Sequence, residues 1–215
     1  MNGIKSKQRV ELFGEVNTSK KEVNSMLELV ESETFRLDSR FLEPACGDGN
    51  FLIEVLKRKL SLLVKQYKKN QYEFEKNSIV VIGSIYAIDI LEDNILLSRE
   101  RLFSIFTDIY EKIFKKSINT NLLKSIKFIL ERNIIHGNAL TLNYVNNNQP
   151  IIFSEWSMLS NKIKRRDFMF TDLIAYAPFE EGTLFSDLDE EVIIPKSIED
   201  FKLINFDQIY KHARK

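Results

Sequence analysis

The sequence predicts an α/β fold with a doubly wound, mostly parallel sheet. Short apolar stretches alternate with longer helical ones in the order β-α-β-α-α-β, as in parallel sheets with helical crossovers. Residues 79–90, IVVIGSIYAIDI, are almost continuously apolar, which is typical of a strand buried on both faces of such a sheet. Residues 41–51, FLEPACGDGNF, join an apolar stretch to a helical one through two glycines, although the chain has only 7 glycines in 215 residues.

Helical periodicity predicts four helices. In the most regular one, which begins at Asn50, apolar side chains form a stripe opposite several lysines. Ser19 is placed to cap the first helix. The four helices are expected at residues 20–35, 50–69, 91–116 and about 120–131.

The remaining predicted strands are short. One extended run leads into the glycine turn, and residues 134–140, IIHGNAL, form another strand that ends in a turn. After residue 145, the segments PIIFSEW and RRDFMFTDLI fit paired strands, which could form an antiparallel hairpin.

Composition excludes several classes of protein. Lys plus Arg and Asp plus Glu both number 31, so any contact with nucleic acid must come from a local patch. Cys46 is the only cysteine, which excludes an internal disulfide and fits a reducing compartment. His136 and His212 are the only histidines, so no metal site is expected. The N-terminus has no apolar signal core and no apolar run approaches a bilayer span, so we expect a cytoplasmic protein without membrane contact.

The glycine turn has the composition of a ligand-binding corner. Gly47 and Gly49 permit positive φ and let a ligand approach the backbone, while the helix from Asn50 directs free N–H groups at the same place. Glu43 and Asp48 would repel a phosphate but suit a cationic ligand. S-adenosylmethionine carries a sulfonium and an ammonium group and no phosphate, so the charge pattern favours it over a dinucleotide. From the residues alone, an ordinary strand–helix turn is the alternative.

Two further residues would complete such a site. Asp89 ends the apolar stretch YAIDI, where a carboxylate can accept hydrogen bonds from both ribose hydroxyls. The alternative is that Asp89 ends the strand and caps the next helix. Asn138 lies in HGNAL, where its amide could contact the adenine amino group or serve as an ordinary turn residue.

These segments resemble the motifs of the amino-group DNA methyltransferases, the adenine-N6 class of restriction–modification systems. FLEPACGDGNFL resembles motif I, whose usual form is close to PACGSGNFL; YAIDI resembles motif II; and HGNAL resembles motif III, where Asp is usual in place of Asn138. Upstream, GEVNTSKKEVNSMLELV resembles motif X. The segment keeps Glu15, Val16 and Thr18 of that motif but lacks its proline. The resemblance covers about residues 10–170 and implies a Rossmann-like, S-adenosylmethionine-dependent methyltransferase fold.

The resemblance also implies roles for individual residues. Thr18 would lie near the methionine carboxylate, and the glycine turn would form the methionine pocket. The end of the strand YAIDI would hold ribose and adenine, and the turn in HGNAL would close on the adenine amine. The implied cofactor-binding residues are Thr18, Glu43, Ala45, Cys46, Gly47, Asp48, Asn50, Asp89, Ile90, Asn138 and Ala139.

The catalytic tetrapeptide of that family has only a partial match. The family uses Asp/Asn-Pro-Pro-Tyr/Phe, in which a side-chain oxygen holds the target amine and an aromatic ring stacks on the flipped base. The nearest segment here runs from Tyr176 through Ala177 to Pro178 and Phe179. Pro178 and Phe179 would match, but Tyr176 cannot replace the polar acceptor. A surface turn is the alternative interpretation.

We therefore expect a methyltransferase-like cofactor-binding domain over residues 1–180 and a C-terminal extension over residues 181–215, without a separate target-recognition domain. The expected function is that of an S-adenosylmethionine-binding, DNA adenine-N6 methyltransferase-like protein, a modification subunit that needs a partner for target recognition. DNA would be contacted directly or through the partner, and a homo-oligomer is equally compatible. The alternative is a catalytically inactive binding, defence or anti-defence module. A methyltransferase for RNA or a small molecule fits the wording of motif I less well.

Several other side chains have a structural alternative to a functional role. Cys46 is expected to be a small packed residue, because its acidic neighbours would not lower its pKa. His136 is expected to end a strand rather than act as a base. Phe153 and Trp156 fit the core or an interface, with base stacking as the alternative. The basic residues that could contact phosphates, or form a solvated hairpin end, are Lys162, Lys164, Arg165 and Arg166.

Overall fold

The computed structural model describes Arg9 and residues 18–115, 117–175 and 195–212. The helices are α1 (Lys20–Glu28), α2 (Glu31–Thr34), α3 (Asn50–Tyr67), α4 (Gln71–Gly83), α5 (Glu92–Phe114), α6 (Thr120–Asn133), α7 (Phe170–Ala175) and a 3₁₀ helix (Phe206–His212). The strands are β1 (Phe41–Glu43), β2 (Ile85–Asp89), β3 (Ile134–Asn138), β4 (Asn143–Tyr144), β5 (Ile152–Leu159), β6 (Lys162–Met169), β7 (Glu199–Asp200) and β8 (Ile204–Asn205).

The four predicted helices are confirmed, although α1 and α2 divide the first of them. Ser19 caps α1 as predicted, because its hydroxyl accepts the N–H of Glu22 at 3.3 Å while the Glu22 carboxylate accepts the N–H of Ser19 at 2.8 Å. Asn119 caps α6 by accepting the N–H groups of Asn121 and Leu122. Short polar side chains thus start these helices where the sequence indicates.

The predicted strand over residues 79–90 is wrong in its first half. Helix α4 continues to Gly83, and β2 contains only Ile85–Asp89. The helix packs against α3, α6 and β5, and its last residues, such as Ile79 and Ile82, are buried on nearly all sides and leave no polar face there. A helix buried on all sides and a buried strand both give an unbroken apolar run, which periodicity cannot separate.

The central sheet has the strand order β1-β2-β3-β4, with β1, β2 and β3 parallel and β4 antiparallel to β3. This confirms an α/β fold with a mostly parallel sheet. The described strands lie in the sheet in their order along the chain, so the change of strand order that defines a doubly wound sheet is not among them. Because β1, β2 and β3 are parallel, Glu43, Asp89 and Asn138 lie at the same edge, where these strands end.

The predicted antiparallel hairpin is confirmed. Strands β5 and β6 pair from Ile152 opposite Met169 to Leu159 opposite Lys162. Strands β7 and β8 add to β6, and the 3₁₀ helix packs against α6. The described part of the C-terminal extension is therefore attached to the hairpin and to α6.

The core has two parts, one on each face of the central sheet. The larger part lies among the helices and includes Ile85 and Ala87 of β2. The smaller part contains Tyr86 and Ile88, and Phe153 of the hairpin covers it. Trp156 is also buried, and its indole N–H donates to the side chain of Asn133 at 3.0 Å, so Phe153 and Trp156 are core residues rather than exposed stacking platforms.

Within the described part of the chain, no helix combines the length and the apolar character that crossing a bilayer requires.

A buried lysine fixes the start of the two strands that carry the turn and Asp89. The ammonium of Lys59, on α3, donates to the carbonyl oxygens of Leu37 (3.2 Å) and Ser39 and to the hydroxyl of Ser84 (2.8 Å). Its side chain is fully buried beside the ring of Phe41. Leu37 and Ser39 precede β1 and Ser84 precedes β2, so Lys59 holds both strand entries against the helix.

We predict that Lys59 makes a contribution to stability that rises with pH above about 8. It is measured as the difference between the wild type and Lys59→Met, because the raised pKa of Cys46 acts in the opposite direction in both proteins. Burial lowers the pKa of Lys59 from 10.5 to about 8. Between these values the folded state binds fewer protons than the unfolded state, so the free energy of unfolding increases with pH, by about 3 kcal/mol at most. Urea unfolding from pH 7 to 10.5 measures this increase, and Lys59→Met should lack it. Parallel pH profiles for the two proteins would contradict the prediction.

Candidate functional site

The glycine turn lies between the end of β1 and the start of α3, and both glycines adopt positive φ. Gly47 has φ 52° and Gly49 has φ 88°, a region that side chains other than glycine rarely adopt. A Cβ at Gly47 would meet no atom within 4 Å, whereas a Cβ at Gly49 would lie 2.8 Å from the hydroxyl oxygen of Ser98. Gly49 therefore permits the close approach of α5, and Gly47 presents its backbone to open space.

The carboxylate of Asp89 is bonded to the turn. Its Oδ2 accepts the N–H of Gly47 at 2.8 Å, and its Oδ1 accepts the N–H of Leu91 at 2.8 Å and the amide N–H of Asn94 at 3.3 Å. A carboxylate has about four acceptor positions, so Asp89 can accept about one further hydrogen bond. The sequence-based expectation of a carboxylate free to hold both ribose hydroxyls therefore differs from what the structure shows. The same bonds fix the end of β2 and the start of α5.

A polar stripe on α5 holds the turn from the other side. Ser98 donates to the carbonyl oxygen of Gly47 at 3.0 Å. Arg101 donates to the carbonyl oxygen of Asp48 at 2.6 Å and to the side-chain oxygen of Asn50 at 3.0 Å. It also forms an ion pair with the Asp48 carboxylate at 3.0 Å.

Sequence reasoning missed the stripe formed by Asn94, Ser98 and Arg101. The signal for it was available, because these polar residues follow each other at i, i+4 and i+7 on one helix face. Asn94 and Ser98 are buried, so this polar face packs inward. Buried polar side chains require partners, and here the backbone of the turn and Asp89 supply them.

The turn keeps an anionic character after its internal pairing. Arg101 offsets the charge of Asp48. Glu43 accepts the N–H of Ala45 at 3.2 Å, and burial raises the pKa of its carboxyl group despite that bond. The partners of the Asp89 carboxylate described above are neutral N–H groups. Glu43 and Asp89 are therefore the groups that would attract a cation to this edge of the sheet.

Cys46 is a packed residue, as expected. Its side chain is buried with Sγ 4.0 Å from the hydroxyl oxygen of Ser98. Burial, with a contribution from the charge of Asp89, raises the pKa of its thiol to about 12. The thiol is therefore protonated at neutral pH and unsuited to act as a nucleophile.

The end of β3 shows local structural roles. The side-chain oxygen of Asn138 accepts the N–H groups of Leu140 (2.9 Å) and Thr141 (3.3 Å), which is the bonding of an ordinary turn residue. His136 Nε2 lies 3.0 Å from the carbonyl oxygen of Ile90 and so links the ends of β3 and β2. The expected contact with the adenine amino group, a donor, would need the same side-chain oxygen of Asn138, because its amide N–H₂ group can only donate and could reach only a ring nitrogen of adenine. Ala139, the next residue, is half-buried.

Some predicted residues fall away from the turn or outside the described chain. Thr18 is exposed and immediately precedes the Ser19 cap of α1. Glu15 and Val16 of the motif X resemblance lie outside the described residues. So does the segment with the partial tetrapeptide match, namely Tyr176, Ala177, Pro178 and Phe179.

Most of the basic run on the hairpin is engaged within the protein. Arg165 is fully buried and forms an ion pair with Asp167 at 2.7 Å. Arg166 pairs with Glu155 at 2.6 Å. Lys164 lies 3.7 Å from the carboxylate of Asp200, whereas Lys162 is exposed. Arg165 therefore cannot contact phosphates, and Arg166 and Lys164 are paired within the protein. In the described residues, no cluster of His, Cys, Asp and Glu side chains is arranged to hold a metal ion.

Two clefts lie elsewhere on the molecule. One, of about 570 Å³, is mostly apolar and lies beside β1 between Leu42, Tyr86 and Phe168. The other, of about 410 Å³, is polar and is bordered by Arg99 and His136. Neither of these two clefts is lined by the residues of the glycine turn.

Comparison with known proteins gives no relative for this chain: no family model, curated protein or solved structure matches it.

We predict that Cys46 is unreactive in the folded protein. Its burial and raised pKa should slow alkylation by iodoacetamide at pH 8 at least about 100-fold relative to the unfolded chain, because a thiol near pKa 12 is almost entirely protonated there. Mass spectrometry with and without 6 M guanidinium measures the difference. Equal labelling rates would show that the turn opens readily.

Proposed function

We propose that the chain binds S-adenosylmethionine at the glycine turn and acts as a DNA adenine-N6 methyltransferase-like protein, a modification subunit that needs a partner for target recognition. The observation that carries the proposal is the placement of Gly47 beside Asp89 at the ends of two adjacent parallel strands. Ligands of α/β sheets bind at this edge. The resemblance to the methyltransferase motifs then favours S-adenosylmethionine as the ligand.

The geometry supports a nucleoside ligand approaching from the edge of the sheet. The backbone of Gly47 faces open space, so a ligand can contact it without meeting a side chain. Helix α3 begins at Asn50 and directs the N–H groups of its first turn to the same edge. Ile90, half-exposed directly after Asp89, could cover one face of an adenine ring.

The charges favour a sulfonium over a phosphate. Glu43 and Asp89 leave the edge anionic, and a pyrophosphate would be repelled by both. S-adenosylmethionine would bring a sulfonium and an ammonium group near them. Since Asp89 has about one acceptor position left, we expect only weak binding by the isolated chain, with Kd in the micromolar range or weaker, about −8 kcal/mol.

Tyr176 is at odds with the catalytic step of the proposal. Methylation of an adenine amine needs an acceptor that directs the nitrogen lone pair at the methyl group, and Asp or Asn is usual where Tyr176 stands. This substitution favours a second candidate, a protein that binds the cofactor without turnover. The two candidates share the cofactor site and differ only in methyl transfer.

We predict that cofactor binding depends on the charge of Glu43. Glu43→Gln keeps the oxygen that accepts the N–H of Ala45 but removes the charge, so the affinity for S-adenosylmethionine should fall about fivefold. Binding of S-adenosylhomocysteine, which lacks the sulfonium charge but keeps the ammonium group, should fall less. Isothermal titration calorimetry measures both ligands.

The matched control is Asp108→Asn, which removes the same charge from an exposed position on α5, the helix that also holds the turn. It should leave both affinities unchanged. Absence of binding by the wild-type chain would rule out this cofactor, and equal losses for both ligands in Glu43→Gln would rule out recognition of the sulfonium charge by Glu43.

We predict methyl transfer only in the presence of a partner chain that recognises DNA. Incubation with methyl-tritiated S-adenosylmethionine and genomic DNA, with and without proteins encoded beside this chain, measures incorporation into N6-methyladenine. Incorporation with the partner supports the modification subunit. Cofactor binding without incorporation in either reaction would assign the chain to the non-catalytic candidate.

A further inference from the structure

The guanidinium of Arg101 contacts the glycine turn through both of its terminal nitrogens. Nη1 lies 2.6 Å from the carbonyl oxygen of Asp48 and 3.0 Å from its carboxylate. Nη2 lies 3.0 Å from the side-chain oxygen of Asn50. One planar group thus joins the turn to the first residue of α3.

The carboxylate of Asp48 requires a cationic partner such as the guanidinium of Arg101. Its side chain is 22% exposed, so its charge is only partly solvated, and it lies in the same segment as Glu43. An unpaired carboxylate that is only partly solvated would weaken the turn.

We infer that Arg101 is a positioning residue that holds the turn open for a ligand and cancels the charge of Asp48. Ser98 and Asp89 fix Gly47 through its C=O and N–H groups, and Arg101 fixes the two following side chains. Without Arg101, the segment from Asp48 to Asn50 has no link to α5 through these side chains. The inference about the turn stands on these contacts alone, and its consequence for ligand preference rests on the proposed function.

Lysine cannot replace Arg101 in this role. The three contacts lie in different directions from two nitrogens held in one plane, which a single ammonium cannot reproduce. Arg101→Lys should therefore keep the positive charge but lose the geometry of the three contacts. This variant separates the role of Arg101 in holding the turn from its role in cancelling the charge of Asp48.

The first experiment measures backbone amide hydrogen exchange by NMR, without any ligand, at Gly47 and Gly49, whose N–H groups are hydrogen-bonded. Arg101→Met should raise the exchange rate at these amides at least about tenfold and leave the exchange rates of the β5–β6 hairpin unchanged. The exchange rate in Arg101→Lys should lie between those of the wild type and Arg101→Met. The matched control is Arg58→Met, which removes an arginine of α3 that contacts Asn24 instead of the turn. Unchanged exchange in Arg101→Met would overturn the inference, as would equal acceleration in Arg58→Met.

The second experiment tests the charge. Arg101→Met should weaken both S-adenosylmethionine and S-adenosylhomocysteine binding but raise the ratio of their affinities about threefold in favour of the cation, because Asp48 is then uncompensated. Adding Asp48→Ser should return the ratio to its wild-type value, which a purely structural defect would not do. An unchanged ratio in Arg101→Met would overturn the charge role.

The two proposals fail separately. If the wild-type chain binds neither ligand, the proposed cofactor is wrong, and the exchange result alone decides whether Arg101 holds the turn. If the wild type binds and the exchange is unaffected, the cofactor site stands and the role of Arg101 is overturned.

Discussion

The hydrogen bond from the N–H of Gly47 to the carboxylate of Asp89 is the interaction on which the rest of the site depends. It joins the turn after β1 to the end of β2, and the same carboxylate receives the N–H of Leu91 at the start of α5. Three chain segments therefore meet at one buried acidic side chain. Glycine is required at both turn positions, because Gly47 adopts positive φ and Gly49 leaves room for Ser98.

The surrounding fold keeps this junction in place. Helices cover one face of the parallel sheet, and the β5–β6 hairpin covers part of the other through Phe153. Lys59 anchors the entries of β1 and β2 at the opposite end of the strands from the turn. The described strands of the central sheet are mostly parallel, so the ends of β1, β2 and β3 share one edge.

Much of the fold was predictable because local signals agree with tertiary packing. The glycine turn, the Ser19 cap, helices α3, α5 and α6 and the hairpin all follow from periodicity and turn residues. The C-terminal end of α4 was not predictable, because a helical segment buried on all sides has no polar face to reveal its period. The partners of Asp89 and Arg101 could not be predicted either, since they depend on how closely α5 approaches a turn about 40 to 50 residues earlier in the chain. Arg165 shows the same limit, because its burial depends on the hairpin packing and not on its basic neighbours.

The central claim is that a sulfonium nucleoside binds at the edge formed by Gly47 and Asp89. Titration of the ¹⁵N-labelled chain with S-adenosylmethionine, followed by two-dimensional NMR, tests it most directly, because each amide reports its own surroundings. The account predicts saturable shifts confined to residues 45–50, to Asp89 and Ile90, and to the turn after β3. Shifts confined to the apolar cleft beside Leu42, or no shifts at millimolar ligand, would contradict it.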